Sequence, residues 1–274
     1  MQMISGGLVA DKVTCYRVKC PILDEKKLMS LEIKIILLIL AIITLIVIFD
    51  VVQTSRLIAI GVEQTVRTRA FERRLENPEF HFLVVGDSSA VGVGAEPLEG
   101  SVAGRLAADF PTADIQNIAV SGSKVKDAID QLESLSKNER YDLILIQIGG
   151  NDIVRGTSYA GLEKDFPRLI ELAKQHSNNV VQLTSGNVGT SKLLPFGTRW
   201  YFTIRTKKVR ELFMHINAEQ GTHYVDLFRD KANDPYAQNP KKYYSPDFFH
   251  PSADGYGDWY AFIGPIVKAL PDLK

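Results

Sequence analysis

The sequence predicts an α/β fold: a three-layer α/β/α domain around a mainly parallel five-stranded sheet, preceded by one N-terminal transmembrane helix. Three observations carry this. After residue 80, five short apolar runs alternate with amphipathic stretches, the pattern of buried strands joined by crossover helices. One run without any charge, Ile35–Phe49, stands near the N-terminus, with Thr44 its only polar residue. The rest is ordinary globular material: 45% apolar and 23% charged over 274 residues, which excludes a disordered or collagen-like chain.

Residues 1–30 form an N-terminal segment without clear periodicity. It is either cytoplasmic or, because Met29-Ser30-Leu31 reads as a start just before the apolar run, not translated. Its Cys15 and Cys20 are the chain's two cysteines. They make no disulfide framework, and a C-x4-C pair without nearby His is poor evidence for a metal.

The anchor is placed at 31–52. Crossing the hydrocarbon core takes roughly 20 residues, and this stretch has its charges, Glu32, Lys34 and Asp50, only near its ends. A core helix would show a polar face, and this one is apolar all round. A cleaved signal would end at a small-residue site, but Phe49-Asp50-Val51-Val52-Gln53 follows, so the segment reads as uncleaved. Lys12, Arg17, Lys19, Lys26, Lys27 and Lys34 precede the run, and Arg56 alone is basic in the fifteen residues after Phe49. The positive-inside rule then predicts a single pass, with the N-terminus cytoplasmic and the remainder periplasmic or extracellular.

Residues 53–79 read as a helical stalk, with Leu57, Ile60, Val66, Phe71 and Leu75 among Arg and Glu, stopped by Asn77-Pro78. Residues 80–274 then form one domain. Strands are expected at Phe82–Val85, Ile115–Val120, Leu143–Ile148, Val180–Leu183 and Tyr224–Leu227. Helices are expected near 101–109, 125–137, 160–175, 203–219 and 252–270.

In an open parallel sheet, ligands bind beyond the carboxyl ends of the strands, so the residues following each strand are the first to weigh. Gly86-Asp87-Ser88-Ser89 follows the first strand, Ser121-Gly122-Ser123 the second and Gly149-Gly150-Asn151-Asp152 the third. Asp247-Phe248-Phe249-His250-Pro251 stands before the last helix. Singly, each is a turn or a helix cap. In this order, together, they resemble the SGNH/GDSL hydrolase family over about residues 80–270. The first block reads GDSS where the family name has GDSL, a departure at a position that is not catalytic in the family. The resemblance implies a flavodoxin-like sheet and a serine esterase or lipase. It carries Ser88 over as nucleophile, His250 as base and Asp247 as its partner, with Ser88, Gly122 and Asn151 donating to the oxyanion.

The chemistry of these residue types agrees. A serine hydroxyl needs a base within hydrogen-bond reach, and an aspartate three residues before a histidine is placed to hold the imidazole's other nitrogen. A developing oxyanion needs donors where the charge forms: backbone amides at Ser88 and Gly122 and the Asn151 carboxamide. His81, His176, His215 and His223 carry no such pattern and read as structural or surface residues.

Other classes fit less well. There is no G-x-x-x-x-G-K-[ST], G-x-G-x-x-G or H-E-x-x-H, so the sequence predicts no cofactor and no metal. Lys+Arg and Asp+Glu are each 32, so no basic field favours nucleic acid. A membrane-anchored binding module with an inactive site remains as the non-enzymatic alternative. The expected partners are the membrane, through the N-terminal helix, and an acyl-ester substrate. A lipase or lysophospholipase-like activity is favoured, with carbohydrate O-acetyl esterase as the alternative. The stretch Ser191–Phe202, with Leu193, Leu194, Phe196, Trp200 and Tyr201, would either line an acyl pocket or pack the following helix.

Overall fold

The computed structural model describes residues 31–273. The segment 1–30, with Cys15, Cys20 and most of the basic flank, lies outside the described residues. The chain divides into two units, one ending at Ile46 and one beginning at Val47.

Helix α1 (Leu31–Arg67) has 37 residues, about 55 Å at 1.5 Å per residue. By length and composition it is able to cross a membrane, and residues 31–49 are exposed along its whole circumference. The helical stalk expected over 53–79 is corrected here: the helix ends at Arg67. The following chain instead covers the edge of the sheet, where exposed strand groups need a partner. Arg73 exchanges backbone bonds with Ile115 (3.0 and 2.8 Å). Its guanidinium donates to the carbonyls of Ala107 (2.6 Å), Ala113 (2.7 Å) and Phe110, and the Leu75 amide donates to the Asp114 carboxylate. Nor does the end of α1 stand off from the domain, since a Cβ at Gly61 would lie 2.9 Å from Asp247 Oδ2.

The second unit continues through β1 (Phe80–Gly86), α2 (Ser88–Val91), α3 (Val102–Asp109), β2 (Ala113–Asn117), α4 (Val125–Glu133) and β3 (Leu143–Gln147). It then runs through α5 (Gly150–Val154), α6 (Tyr159–His176), β4 (Val180–Leu183), α7 (Arg199–Gln220), β5 (His223–Val225), α8 (Pro235–Gln238), α9 (Pro240–Tyr243) and α10 (Ala253–Ala269). The strand order is β2-β1-β3-β4-β5, and all four pairings are parallel.

Side chains alternate across a strand, and here both faces are apolar. Phe82, Val84, Leu143, Leu145, Val181 and Leu183 pack under α3 and α10. Leu83, Val85, Ile144 and Ile146 pack under α4, α6 and α7. Covered on both faces, the strands read as continuous apolar runs without alternation, which is why they were visible in the sequence. The connection leaving β1 runs to β2 on one side, whereas the connection leaving its neighbour β3 runs to β4 on the other. The crevice at that reversal, beyond the strand ends, is where such sheets bind ligands.

Candidate active site

The turn after β1 is set by close backbone approach. Gly86 has φ +145°, and a Cβ there would lie 1.9 Å from the Gln147 carbonyl oxygen, so only glycine fits. Gln131, on the buried face of α4, clamps this glycine: its Oε1 accepts from the Gly86 amide (2.9 Å) and its Nε2 donates to the Gly86 carbonyl (2.9 Å) and to Ser123 Oγ (2.9 Å). Asp87 then caps α2, its Oδ1 accepting from the Ser89 amide and hydroxyl, both at 2.8 Å. Ser88 is the first residue of that helix, where a backbone N–H has no intrahelical partner.

His250 arrives from the loop before α10. Its Nε2 lies 2.8 Å from Ser88 Oγ and its Nδ1 lies 2.5 Å from Asp247 Oδ2. Asp247 Oδ1 accepts from Ser245 Oγ (2.8 Å) and from the Phe249 (2.8 Å) and His250 (3.0 Å) amides. Burial pushes the Asp247 carboxyl up, but the bonds from His250, the Phe249 amide and Ser245 outweigh it and hold it below its ordinary value. It is therefore ionised at neutral pH. Phe248, at φ 55°, takes the left-handed conformation that bulky residues avoid, and Ser191 Oγ fixes it by donating to its carbonyl (2.7 Å).

Ser88, Asn151 and His250 line one cavity of about 740 Å³, counting its open mouth. Asp247 is buried behind His250 at 1% exposure. Gly122 is not among the lining residues. It stands beside them at φ 87°, its carbonyl accepting from Arg155 Nη1 (3.1 Å), and the next carbonyl, of Ser123, accepts from Asn151 Nδ2 (3.0 Å). Among the described residues that leaves the second N–H of the Asn151 amide unused. His176 Nδ1 meets the Glu139 carbonyl (3.0 Å), and His215 pairs with Glu219 (3.2 Å).

Of the two readings of the rim stretch 191–202, an acyl-pocket wall or packing for the following helix, the structure does not match the first. Thr190 and Ser191 line the cavity, but Leu193, Leu194, Phe196, Trp200, Tyr201 and Phe202 do not. Leu194 and Phe202 pack on the α6–α7 side of the sheet, whereas Phe196 and Trp200 are 77% and 67% exposed. The chain leaves the cavity at Ser191, and the Phe196 amide turns to the Asp50 carboxylate (3.3 Å).

Burial raises the Asp87 carboxyl to about 6, against the lowering by the Ser89 bonds and His250. A carboxyl raised from its unfolded value contributes stability below about pH 4 that is lost as pH rises through about 6. Asp87→Asn keeps an oxygen for the helix cap and removes this loss. Its melting temperature is expected to match the wild type near pH 4 and to exceed it increasingly up to pH 7, by on the order of 2–3 kcal/mol in stability. A difference that does not change between pH 4 and pH 7 would refute this.

Residues 84–257 match the model of the GDSL-like lipase/acylhydrolase family. Esterase TesA of Pseudomonas aeruginosa is 31% identical over 104 residues, 37% of this chain and 52% of that protein. The chain thus spans about half the length of the curated relative it matches. In fold it is similar to a lipolytic G-D-S-L family protein from Veillonella parvula (18% identity, TM-score 0.57, covering 69% of this chain and 99% of that one). It is also similar to an acetylxylan esterase from Geobacillus stearothermophilus (17% identity, TM-score 0.53, 72% and 98%). With 174 consecutive residues matched and the sheet those proteins share, the chain belongs to the GDSL-like lipase/acylhydrolase family.

Proposed function

We propose that the protein is a membrane-anchored serine hydrolase that cleaves carboxylic (acyl) esters through Ser88, His250 and Asp247, by way of an acyl-enzyme. The observation that carries this is the pair of contacts on His250, 2.8 Å to Ser88 Oγ and 2.5 Å to Asp247 Oδ2. An ionised Asp247 places the imidazole proton on Nδ1, which leaves the Nε2 lone pair to accept the Ser88 proton. As Ser88 Oγ bonds to the ester carbon, that proton moves to Nε2 and the carbonyl oxygen becomes an anion. The Ser88 and Gly122 amides and the Asn151 carboxamide donate to it. Collapse of the intermediate breaks the bond to the leaving oxygen, which takes the proton from Nε2. Water then repeats the sequence on the acyl-enzyme.

The full-length chain in detergent is expected to hydrolyse p-nitrophenyl acetate without added metal and to be labelled at Ser88 by a fluorophosphonate. A folded chain that turns over no ester and takes no label would leave the binding-module alternative standing. Anchoring rests on the apolar run within α1: alkaline phosphatase fused after Lys274 is expected to be active, and a cytoplasmic C-terminus would overturn the topology. For the substrate, the outward-facing anchored site fits a lipase or lysophospholipase-like enzyme. Polar side chains in the cavity favour a second reading, esters of hydroxyl-rich alcohols such as O-acetylated carbohydrate.

Asn151→Ala separates catalysis from structure. If the carboxamide meets the oxygen mainly as an anion, its loss lowers kcat by about 10²–10³ with KM little changed, and Ser88 is still labelled, more slowly. If Asn151 serves only to hold Ser123, the variant melts earlier and retains its kcat per folded molecule. Measuring kcat, KM and melting temperature on one preparation decides between the two.

A further inference from the structure

The cavity beside Ser88 holds polar atoms that nothing in the protein answers. Neither side-chain atom of Gln147 has a hydrogen-bond partner among the described residues, nor do the Tyr236 hydroxyl, Ser185 Oγ or Arg229 Nε, and all four residues line the cavity. Gln147 is 1% exposed. It ends β3, and by alternation it projects to the face of Leu143 and Leu145, the apolar α3–α10 side. Buried polar groups in native proteins are almost always paired, so an unpaired buried carboxamide calls for an explanation. A ligand group in the cavity supplies one.

The kind of group follows from the charges and walls. The Arg229 guanidinium is paired with the Asp258 carboxylate through both terminal nitrogens, which spends its charge inside the protein. Asp234 accepts from the Tyr236 amide (2.9 Å), and burial raises its pKa. The cavity therefore presents no free cation to a phosphate or carboxylate. A saturated chain would leave the polar atoms unanswered. Gln147 and Ser185 each offer both a donor and an acceptor, as a hydroxyl partner requires. Trp259 and Tyr236, also in the lining, give flat apolar faces for the C–H side of such a group.

We infer that Gln147, Tyr236, Ser185 and Arg229 Nε form a subsite for a neutral polyol, a sugar ring or a glycerol unit, that is the alcohol half of the ester. The alcohol half is assigned because an unsubstituted acyl chain would leave these donors and acceptors unanswered, whereas the hydroxyls of a polyol alcohol pair with them. This assignment rests on the serine-esterase reading.

The test uses the full-length chain in detergent. Trp200→Phe leaves Trp259 as the sole tryptophan of the two in the sequence. Its emission is titrated with glycerol and with methyl β-D-xylopyranoside. A saturable change is expected, with Kd weakened at least tenfold by adding Gln147→Leu or, should that variant fold poorly, Tyr236→Phe. In parallel, kcat/KM for 1-monoacetylglycerol and for acetylated methyl xyloside is compared with that for ethyl acetate. At least one polyol ester is expected to lead by tenfold or more, and that lead should shrink at least tenfold in Gln147→Leu. A glycerol preference points to lipid-derived esters and a xyloside preference to carbohydrate. No saturable emission change, or a preference untouched by both variants, overturns the subsite. If p-nitrophenyl acetate is hydrolysed and Ser88 is labelled in the same preparations, the subsite fails alone; if neither occurs, the esterase reading fails with its own assay.

Discussion

Ser88→Ala is expected to lower kcat for p-nitrophenyl acetate by on the order of 10⁶ and to abolish fluorophosphonate labelling, with little change in melting temperature. The size of the effect follows from the removal of the atom that bonds to the acyl carbon, since no binding contact or oxyanion donor substitutes for it. The small effect on folding follows from the position. Ser88 opens a four-residue helix whose cap is supplied by Asp87, and alanine is the best helix former. Its hydroxyl bonds to His250, so the fold gives up one hydrogen bond. The neighbouring hydroxyl serves as the control: Ser89 Oγ is occupied by Asp87, and Ser89→Ala is expected to keep the label on Ser88. A Ser88→Ala protein with wild-type turnover would overturn the nucleophile assignment.

Legibility in the sequence tracked how local each signal is. β1, β3 and β4 were visible because strands buried on both faces have no polar alternation, and parallel strands need the helical crossovers that appear between them. Of the residues now within bonding distance of His250, Asp247 was visible from its three-residue spacing, whereas Ser88, 162 positions away, was joined to them only by the resemblance of the four motif blocks to the SGNH/GDSL family. What the sequence hid is what depends on distant packing. Gln131 reads as one polar residue in an amphipathic helix, yet it holds the backbone of Gly86 and the hydroxyl of Ser123. The one available signal was its place beside Val125, Ala128 and Leu132, on the buried face. Gln147 looked like the polar end of a strand, because aim into a cavity has no sequence period. Residues 68–79 kept a helical pattern of apolar and charged positions but were claimed by the open edge of β2. That competition between helix and edge pairing is visible only once the sheet order is known.

Asp247→Asn is expected to lower kcat by about 10⁴ while the fold stays intact. Oδ1 of Asp247 accepts from Ser245 Oγ and from the Phe249 and His250 amides, so an asparagine meets those donors with its carbonyl oxygen in that place. Its NH2 group then occupies the position of Oδ2, facing His250 Nδ1 at the present 2.5 Å contact. An NH2 group donates, so Nδ1 must accept, and the imidazole proton is driven to Nε2. That nitrogen then points an N–H at Ser88 and has no lone pair for the serine proton. The loop survives and the base is lost. Were Asp247 no more than a turn residue, the same substitution would preserve both loop and activity. Kinetics on p-nitrophenyl acetate, a melting curve and the fluorophosphonate labelling rate separate the two outcomes: unchanged melting with a labelling rate reduced in step with kcat supports the base-orienting role, and unchanged melting with unchanged kcat removes Asp247 from the site.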